Sequence, residues 1–574
     1  MVNKPDTTNT VNSKRSLKSQ NIVRLFLLLL ILVGINVVSS FVFTRFDLTS
    51  EKRFTLSNAT RELVKNLDDA VYVKVYLDGD FPPAFKRLQN STREMLDELR
   101  AYSNGNIEYE FINPSENPDQ DERNKLYQQL VDRGIQPTNL KAQNKSETSQ
   151  QIIFPGAIVS YHGQDLPLML LQDQIGASPE QMLNNSIQGL EYGFGNCIRK
   201  LSSILPPKIA FIEGHREARP EQLADITREL SNFYRVETVR IDEQIGKLKG
   251  FSAIIVAGPD STFSEKDKFI IDQFIMKGGK ALWLIDGTQV TMDSLQKSDE
   301  TVAVANEIGL DDMLFRYGAR INYDIVLDIQ AAPIPVVTGY VGNRPQQTLL
   351  PWYYFPLAIP ETNHPIVNNL NAVKFDFVSS IDAVGSSSVK KTPLLTSSQY
   401  SRVFATPARV ALSIMREEPD LKQYNTPHKT FALLLEGNFD SNFKNRVSAM
   451  IVNDSAIAFK DRSVVNKMIV VGDGDVIKNG FRKSTGSVIP LGMDRYTQQV
   501  YGNKNFILNC IDYLCDDSGL MVVRSKELKL RLLDKTLVED SLLQWKIINT
   551  AGPVLLIVVF GLIKFYRRKR KYAQ

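Results

Sequence analysis

The stretch Lys208-Ile-Ala-Phe-Ile-Glu-Gly-His-Arg-Glu217 reads as a short strand that runs into a tight turn. Ile209 to Ile212 is apolar without alternation, the pattern of a strand covered on both faces. The residues downstream repeat the theme. Pro220 sits near a helix start, and Leu223, Ile226, Leu230 and Phe233 form an apolar stripe. Val236 to Ile241 and Ala253 to Ala257 read as strands. Ser264-Glu-Lys-Asp267 opens a helix through Met276 that Gly278-Gly279 ends. Ala281 to Ile285 is the next strand, and the distant Met468-Ile-Val-Val471 reads as a further strand of the same sheet. Strands alternating with helices predict an α/β fold with a doubly wound parallel sheet over 207–520.

A second α/β unit is predicted upstream, over 67–203. Val71 to Leu77 alternates as a strand does, Pro82 to Tyr102 is helical, Ile107 to Ile112 is a strand and Asp119 to Arg133 a helix. Gly156 to Tyr161 and Leu166 to Leu171 form a hairpin through His162-Gly163-Gln164-Asp165, and Asn184 to Leu201 closes the unit as a helix. This β-α-β-α-β-β-α order is that of a thioredoxin-like domain. Its first helix carries no Cys-x-x-Cys, so thiol–disulfide exchange is excluded. The region 318–466 reads as an irregular insertion. Val302 to Tyr317 is predicted helical, and Thr430 to Leu435 strand-like. Pro333 to Pro360, with six prolines and with Tyr353 and Tyr354 beside Trp352, reads as a long, partly ordered excursion.

The 574 residues leave room for about three to five domains. Charged residues at 23% and hydrophobic ones at 43% exclude a disordered or collagen-like chain. Three cysteines exclude a disulfide-stapled scaffold and a thiolate metal cluster. Cys510 and Cys515 fall on different faces of one predicted helix, so all three read as small buried hydrophobes.

Leu25 to Phe43 and Ile547 to Ile563 are apolar runs of membrane-spanning length, predicted as transmembrane helices over 22–44 and 547–566. No small-x-small cleavage site comes after the first, where Thr44-Arg45-Phe46-Asp47 stands instead, so it reads as an uncleaved anchor. Lys4, Lys14, Arg15, Lys18 and Arg24 precede the first run; Lys564 and Arg567 to Lys571 accompany the end of the second. The positive flanks put both tails, 1–21 and 567–574, in the cytoplasm and the large middle part outside. Without these flanks and Asp6 the rest carries 57 basic and 63 acidic residues, about −6. A nucleic-acid partner loses its compositional support. The juxtamembrane segment 521–546 contains Leu537, Leu542, Leu543 and Trp545 and could continue the second membrane helix.

Candidate chemistry gathers at the carboxyl ends of the predicted parallel strands, where open α/β sheets place ligands. Glu213 and His215 end one strand, Asp286 another, and Gly472-Asp473-Gly474-Asp475 a third. The residue types suit a ligand site, but they are also what tight turns and helix caps require, and turn chemistry is the leading reading. No Gly-x-Ser-x-Gly and no cysteine stands at a strand end, a single histidine makes a weak metal set, and phosphate-loop motifs are absent. The reading is of no enzyme, no catalytic residue, no metal and no cofactor.

Several stretches, in order, resemble the GldG family of gliding-motility ABC transporter auxiliary proteins of Bacteroidetes. They are Arg45-Phe-Asp-Leu-Thr-Ser-Glu-Lys-Arg-Phe-Thr-Leu-Ser57, Ile209 to His215, Gly258-Pro-Asp-Ser-Thr-Phe-Ser-Glu265 with Lys277 to Lys280, Val471 to Gly480 with Gly502 to Phe506, and Lys526 to Asp534. The resemblance covers nearly the whole chain. It implies a periplasmic, membrane-anchored subunit of the inner membrane that works with an ABC-type ATPase and a polytopic permease. It also implies that the second unit is similar to class I glutamine amidotransferase-like domains, although this chain offers no nucleophilic cysteine where such an enzyme carries one. A chain fixed at both ends suits a scaffolding or coupling subunit. The alternative is a glycan- or peptide-binding component that uses the strand-end edge or the aromatics between Tyr340 and Tyr354. A homo-oligomer stays open.

Overall fold

The computed structural model describes residues 22–34, 55–144, 147–172, 174, 178–203, 205–295, 298–342, 344–385, 387–416, 418–482, 486–516, 518–525 and 541–572. Helix α1 (Ile22–Gly34) belongs to a first unit, Met1–Thr55; the chain from Leu56 onward forms a second. The remainder of the predicted first span lies outside the described residues.

From Leu56 the elements obey their local signals. Ser57 caps α2 (Asn58–Lys65) by accepting the Thr60 N–H. Strand β1 (Val71–Val75) buries Val71, Val73 and Val75. Helix α3 (Pro83–Tyr102) buries Leu88, Leu96 and Leu99 and leads to β2 (Ile107–Phe111), parallel to β1 with Val71 opposite Ile107. Asp119 caps α4 (Gln120–Asp132). A hairpin that the sequence did not announce comes next, β3 (Thr138–Asn144) with β4 (Glu147–Ile153). Strands β5 (Gly156–Tyr161) and β6 (Gln164–Met169) join through His162 and Gly163, whose φ of 49° and 74° are the left-handed pair that a two-residue hairpin turn demands. The sheet order is β2-β1-β5-β6, with β5 antiparallel to both β1 and β6. Pro167 fits because β6 is an edge strand. The helix expected over 184–201 is two helices, α5 (Pro179–Gln188), opened by a Ser178 capping box, and α6 (Leu190–Leu201), which meet at Gly189.

The main sheet is built from β7 (Lys208–Glu213), β8 (Arg235–Arg240), β9 (Ala253–Ala257) and β10 (Lys280–Leu284). Helix α7 (Ala224–Ser231) continues from a short 3-10 turn at Pro220–Leu223, and α8 (Glu265–Met276) is capped by Ser264. Helix α9 (Asp311–Tyr317) comes next. Beyond it lie β11 (Ala331–Val341), β12 (Arg344–Ala358), β13 (Val389–Thr396), β14 (Thr430–Gly437) and β15 (Asn466–Val471), then α10 (Asn503–Cys515). The seven-stranded order is β13-β14-β15-β10-β9-β7-β8. Strands β8, β7, β9, β10 and β15 run parallel; β14 and β13 add antiparallel. The sheet is therefore mixed, not wholly parallel, because the region expected to be an irregular insertion supplies two of its strands. Ile209 and Phe211 face a core with Ile226 of α7 and Phe506 of α10; Ala210 and Ile212 face another with Ile271 of α8 and Met313 of α9. Both faces of β7 are covered, which is why its sequence does not alternate.

Two expectations for the middle region are corrected. Residues 302–317 are not one helix: Glu300–Ala305 is a strand antiparallel to Ala408–Ala411, and only Asp311–Tyr317 is helical. Val302 and Val304 alternate with buried Ala303, and Gly309, at φ 76°, separates the two elements. Residues 333–360 are no partly ordered excursion but the β11–β12 hairpin, whose ladder shifts register beside Pro333. Trp352 and Tyr354 are 0% and 2% exposed within a local core, so they are not a sugar-stacking platform; Tyr340 stays exposed.

The unit ends in α11 (Leu542–Tyr572), continuous through Pro553. Within Leu542–Arg570 an 18-residue window has a mean hydropathy of 2.0 with none of it buried, long and apolar enough to cross a membrane. It starts earlier than the expected 547–566, taking in Leu542, Leu543 and Trp545.

Candidate ligand site at the strand ends

The order β8-β7-β9-β10 reverses direction at β7, so the crevice beyond β7 and β9 is the switch point where such sheets receive ligands. A cavity of about 680 Å³ lies there. Its wall includes Arg216, Arg219, Asp260, Asp286, Asp475 and Lys478.

Gly472-Asp-Gly-Asp475 leaves β15 through a crowded crossing. A Cβ on Gly472 would sit 2.2 Å from the Ser379 carbonyl oxygen, and one on Gly474 2.5 Å from Gly258 Cα. Only glycine lets these backbones approach. The carboxylates then fix the turn. The Gly474 N–H donates to Asp286 Oδ1 at 2.7 Å, the Asp475 N–H to Asp473 Oδ1 at 2.6 Å, and the Asp376 N–H to Asp473 Oδ2 at 2.7 Å. Lys478 Nζ reaches Asp475 Oδ1 at 2.5 Å.

Crowding the acids together makes ionisation costly. Burial, then the Asp475 charge, lifts Asp286 to about 7 against Lys478 and the Gly474 N–H. Burial and the neighbouring Asp286, Asp475 and Asp376 hold Asp473 well above the carboxylate range. Lys478 is held charged above its ordinary value: burial opposes this, but Asp475 and Asp286 outweigh it.

Of the residues singled out from sequence, Asp286, Asp473 and Asp475 come together; Glu213 and His215 do not join them. Glu213 ends β7 exposed, opposite Arg240 in register. His215 is buried 3.6 Å from the Phe263 ring in a stacked pair, with Nδ1 3.1 Å from Glu217 Oε1 and Nε2 3.2 Å from Asp267 Oδ2. Its carbonyl accepts the Asp260 and Ser261 N–H groups, so His215 ties the end of β7 to the turn after β9 and the start of α8. It works as a clip beneath the crevice.

Sequence reasoning missed Asp376, Lys478 and the bridge of Asn306 and Gln289. Asn306 Nδ2 donates to the Pro259 and Asp286 carbonyls at 3.2 and 2.9 Å, and Gln289 Nε2 to Asp260 Oδ1 at 2.8 Å. Lys478 had a signal, three residues past Asp475 in the same turn; Asp376, nearly a hundred residues away, had none. The buried Thr288 hydroxyl, also in the cavity wall, has no hydrogen-bond partner among the described residues.

The arrangement offers cations, carboxylates and an unpartnered hydroxyl, but no activated nucleophile. The cysteines are free; burial pushes the Cys197 thiol up to about 12 and Cys510 well above the thiol range, which keeps both neutral. Among the described residues no three His, Cys, Asp or Glu form a metal-holding group.

Comparison with known proteins adds what geometry alone does not. A domain family of unknown function matches residues 50–160. An uncharacterized protein of Borreliella burgdorferi is 21% identical over 545 residues, covering 92% of this chain and 94% of the relative. Among solved structures, the mmIFT52 N-terminal domain is 13% identical over 54% of this chain and 96% of that chain, with a TM-score of 0.31, too low to assign a fold. The family described as an ABC-type uncharacterized transport system matches residues 206–510, the whole main sheet and the crevice at its strand ends, more than half of the 574 residues. The chain therefore belongs to this family of auxiliary components of ABC-type transport systems.

Proposed function

We propose that the protein is a two-pass coupling subunit of an ABC transporter complex of the gliding-motility type. Both termini are cytoplasmic, and the body between 67 and 520 lies in the periplasm. The observation that carries this reading is α11, 31 residues without a break and apolar over membrane-spanning length, with Arg567 to Lys571 at its far end. At 1.5 Å per residue it is roughly 46 Å long, enough to cross the hydrocarbon and emerge as a lever on either side. Such a helix transmits the motion of a permease beside it to domains outside the membrane. The ATPase and permease are the partners.

Within that reading 67–203 is a thioredoxin-like domain: the order β2-β1-β5-β6 with β1 and β2 parallel and β5 and β6 antiparallel supports it. Residues 207–520 form an amidotransferase-like domain without its nucleophile, since the cysteines are remote from the crevice walls. A second reading, binding of a glycan or peptide in the strand-end crevice through Asp286, Asp475 and their neighbours, is favoured by the unpartnered Thr288 hydroxyl.

The test is co-purification from native membranes in detergent with a tag on the C-terminus, read by mass spectrometry. Stoichiometric recovery of an ATPase and a permease is the expected result. A chain that emerges alone, even after crosslinking, overturns the coupling reading and brings the crevice forward.

A further inference from the structure

A second cavity, of about 480 Å³, lies apart from the strand-end crevice, in the seam between the two α/β parts. Strand β6 and helices α5 and α6 form one side; residues 369–371, 500–502, α10 and Arg524 form the other. Its volume falls within the roughly 300–1,000 Å³ of small-molecule sites.

The chemistry of the wall is one-sided. Among the described residues no aspartate or glutamate lines it, whereas Gln172, Asn196, Asn371 and Asn505 bring carboxamides and Tyr192 a phenol. Gln172 Oε1 and the Tyr192 hydroxyl are buried without a hydrogen bond among the described residues. Buried polar atoms are seldom left so, and an occupant that supplies hydroxyl donors and acceptors completes them. Two cations reach the wall. Lys200 is neutralised from behind by Asp512 at 3.0 Å. Arg524 has no carboxylate within ion-pair distance among the described residues, although the Asp512 charge reaches it: its guanidinium lies 5.2 Å from the Tyr192 ring centroid, and one nitrogen donates to the Asn368 carbonyl at 2.7 Å. Leu168 and Leu370 give an apolar floor.

Amides and a phenol around an apolar floor match the hydroxylated edge and the C–H face of a sugar, and a guanidinium with no directly paired carboxylate among the described residues matches an acid on it. We propose that the seam cavity binds a short saccharide carrying a carboxylate, with Arg524 facing the acid and Tyr192, Gln172 and the asparagines the hydroxyls. The ligand touches both α/β parts at once and so locks the seam.

The full chain in detergent is titrated calorimetrically with digalacturonate and, separately, with cellobiose. Digalacturonate binds, and cellobiose binds at least about tenfold more weakly, the cost of losing one charge-assisted pair. Arg524→Gln brings digalacturonate down to the cellobiose level. Because Arg524 also holds Asn368, Tyr192→Phe is the second variant: it removes one hydroxyl beside the Arg524 guanidinium and leaves the ring in place, keeps the melting temperature and weakens digalacturonate about threefold or more. No binding of digalacturonate at millimolar concentration, equal affinity for cellobiose, or an unchanged affinity in Tyr192→Phe each overturns the proposal.

Discussion

Two groups of buried aspartates sit in the same domain and are treated in opposite ways. At the seam, Asp512 of α10 faces two cations, Lys200 at 3.0 Å and Arg199 at 3.9 Å, and accepts from the Tyr234 hydroxyl at 2.6 Å. Burial alone raises a carboxyl, yet Lys200 and Arg199 hold Asp512 below its ordinary value. At the strand ends, Asp286 and Asp473 face other acids and are lifted, Asp286 to about 7. One site uses charge to join two parts of the chain; the other resists charge and keeps its acids because their oxygens are needed as acceptors for turn N–H groups. Burial is common to both, so the neighbours decide the sign.

The seam breaks hardest. Asp512→Ala leaves Lys200 and Arg199 without their counter-charge in a place where Lys200 is only 10% exposed. Removing one partner of a buried pair costs about 3–5 kcal/mol. Chemical denaturation of the full chain should register that loss, and limited proteolysis should cut first near α6, since the seam opens before either sheet does. A loss under about 1 kcal/mol would mean that the ion pair is incidental to the seam.

The strand ends break next, through glycine and not through charge. Gly474→Ala drives a Cβ to 2.5 Å from Gly258 Cα, a backbone atom that cannot swing aside. Overpacking of this kind costs about 1–3 kcal/mol. Conservative exchange on the acid side behaves differently. Asp286→Asn keeps an oxygen for the Gly474 N–H and removes a charge that its surroundings resist.

The pH dependence separates the two sites. Asp512 has a lowered folded value, so its stabilisation is complete above the unfolded carboxylate range and is lost only as pH falls through that lowered value. Asp286 has a raised one: its contribution is most favourable below pH 4 and declines as pH rises toward about 7, where the charge is forced on it. Melting temperature should therefore fall between about pH 4 and 7 in the native chain, fall less in Asp286→Asn and level off above, so that Asp286→Asn is the more stable protein at pH 8. Equal slopes in the two proteins would show that Asp286 does not carry the effect.

The same contrast explains what could be read in advance. Local devices were legible: the covered strand Ile209 to Ile212, the Ser264 cap, the turn at His162-Gly163 and the Gly-Asp-Gly-Asp crossing all write their geometry into neighbouring residues. Three of the five residues chosen for the strand-end site do converge there. What failed depends on partners far away in sequence. Val302 and Val304 look helical until the strand Ala408–Ala411 is beside them, and Trp352 looks like an exposed aromatic until it packs against Tyr354 and Phe355, whose rings in turn meet the distant Phe377. Asp512 gave no sign, because a lone aspartate in an apolar helix announces a partner without naming it, and Lys200 is over three hundred residues upstream.

Glu213 gives the smallest effect and the sharpest control. It ends the same strand that leads to His215, yet it is exposed and stands outside the crevice wall. Were strand-end position alone enough to make a residue functional, Glu213→Ala would disturb the protein as much as a change at Asp286 or Asp473. The geometry says otherwise: the carboxylate of Asp473 holds two backbone N–H groups, whereas an exposed carboxylate at an edge of the turn exchanges its contacts for water at little cost. Glu213→Ala should leave stability within about 0.5 kcal/mol of the native chain and the recovery of transporter partners unchanged. A larger shift in either would move the boundary of the site outward along β7 and make the strand end, not the acid cluster, its organising feature.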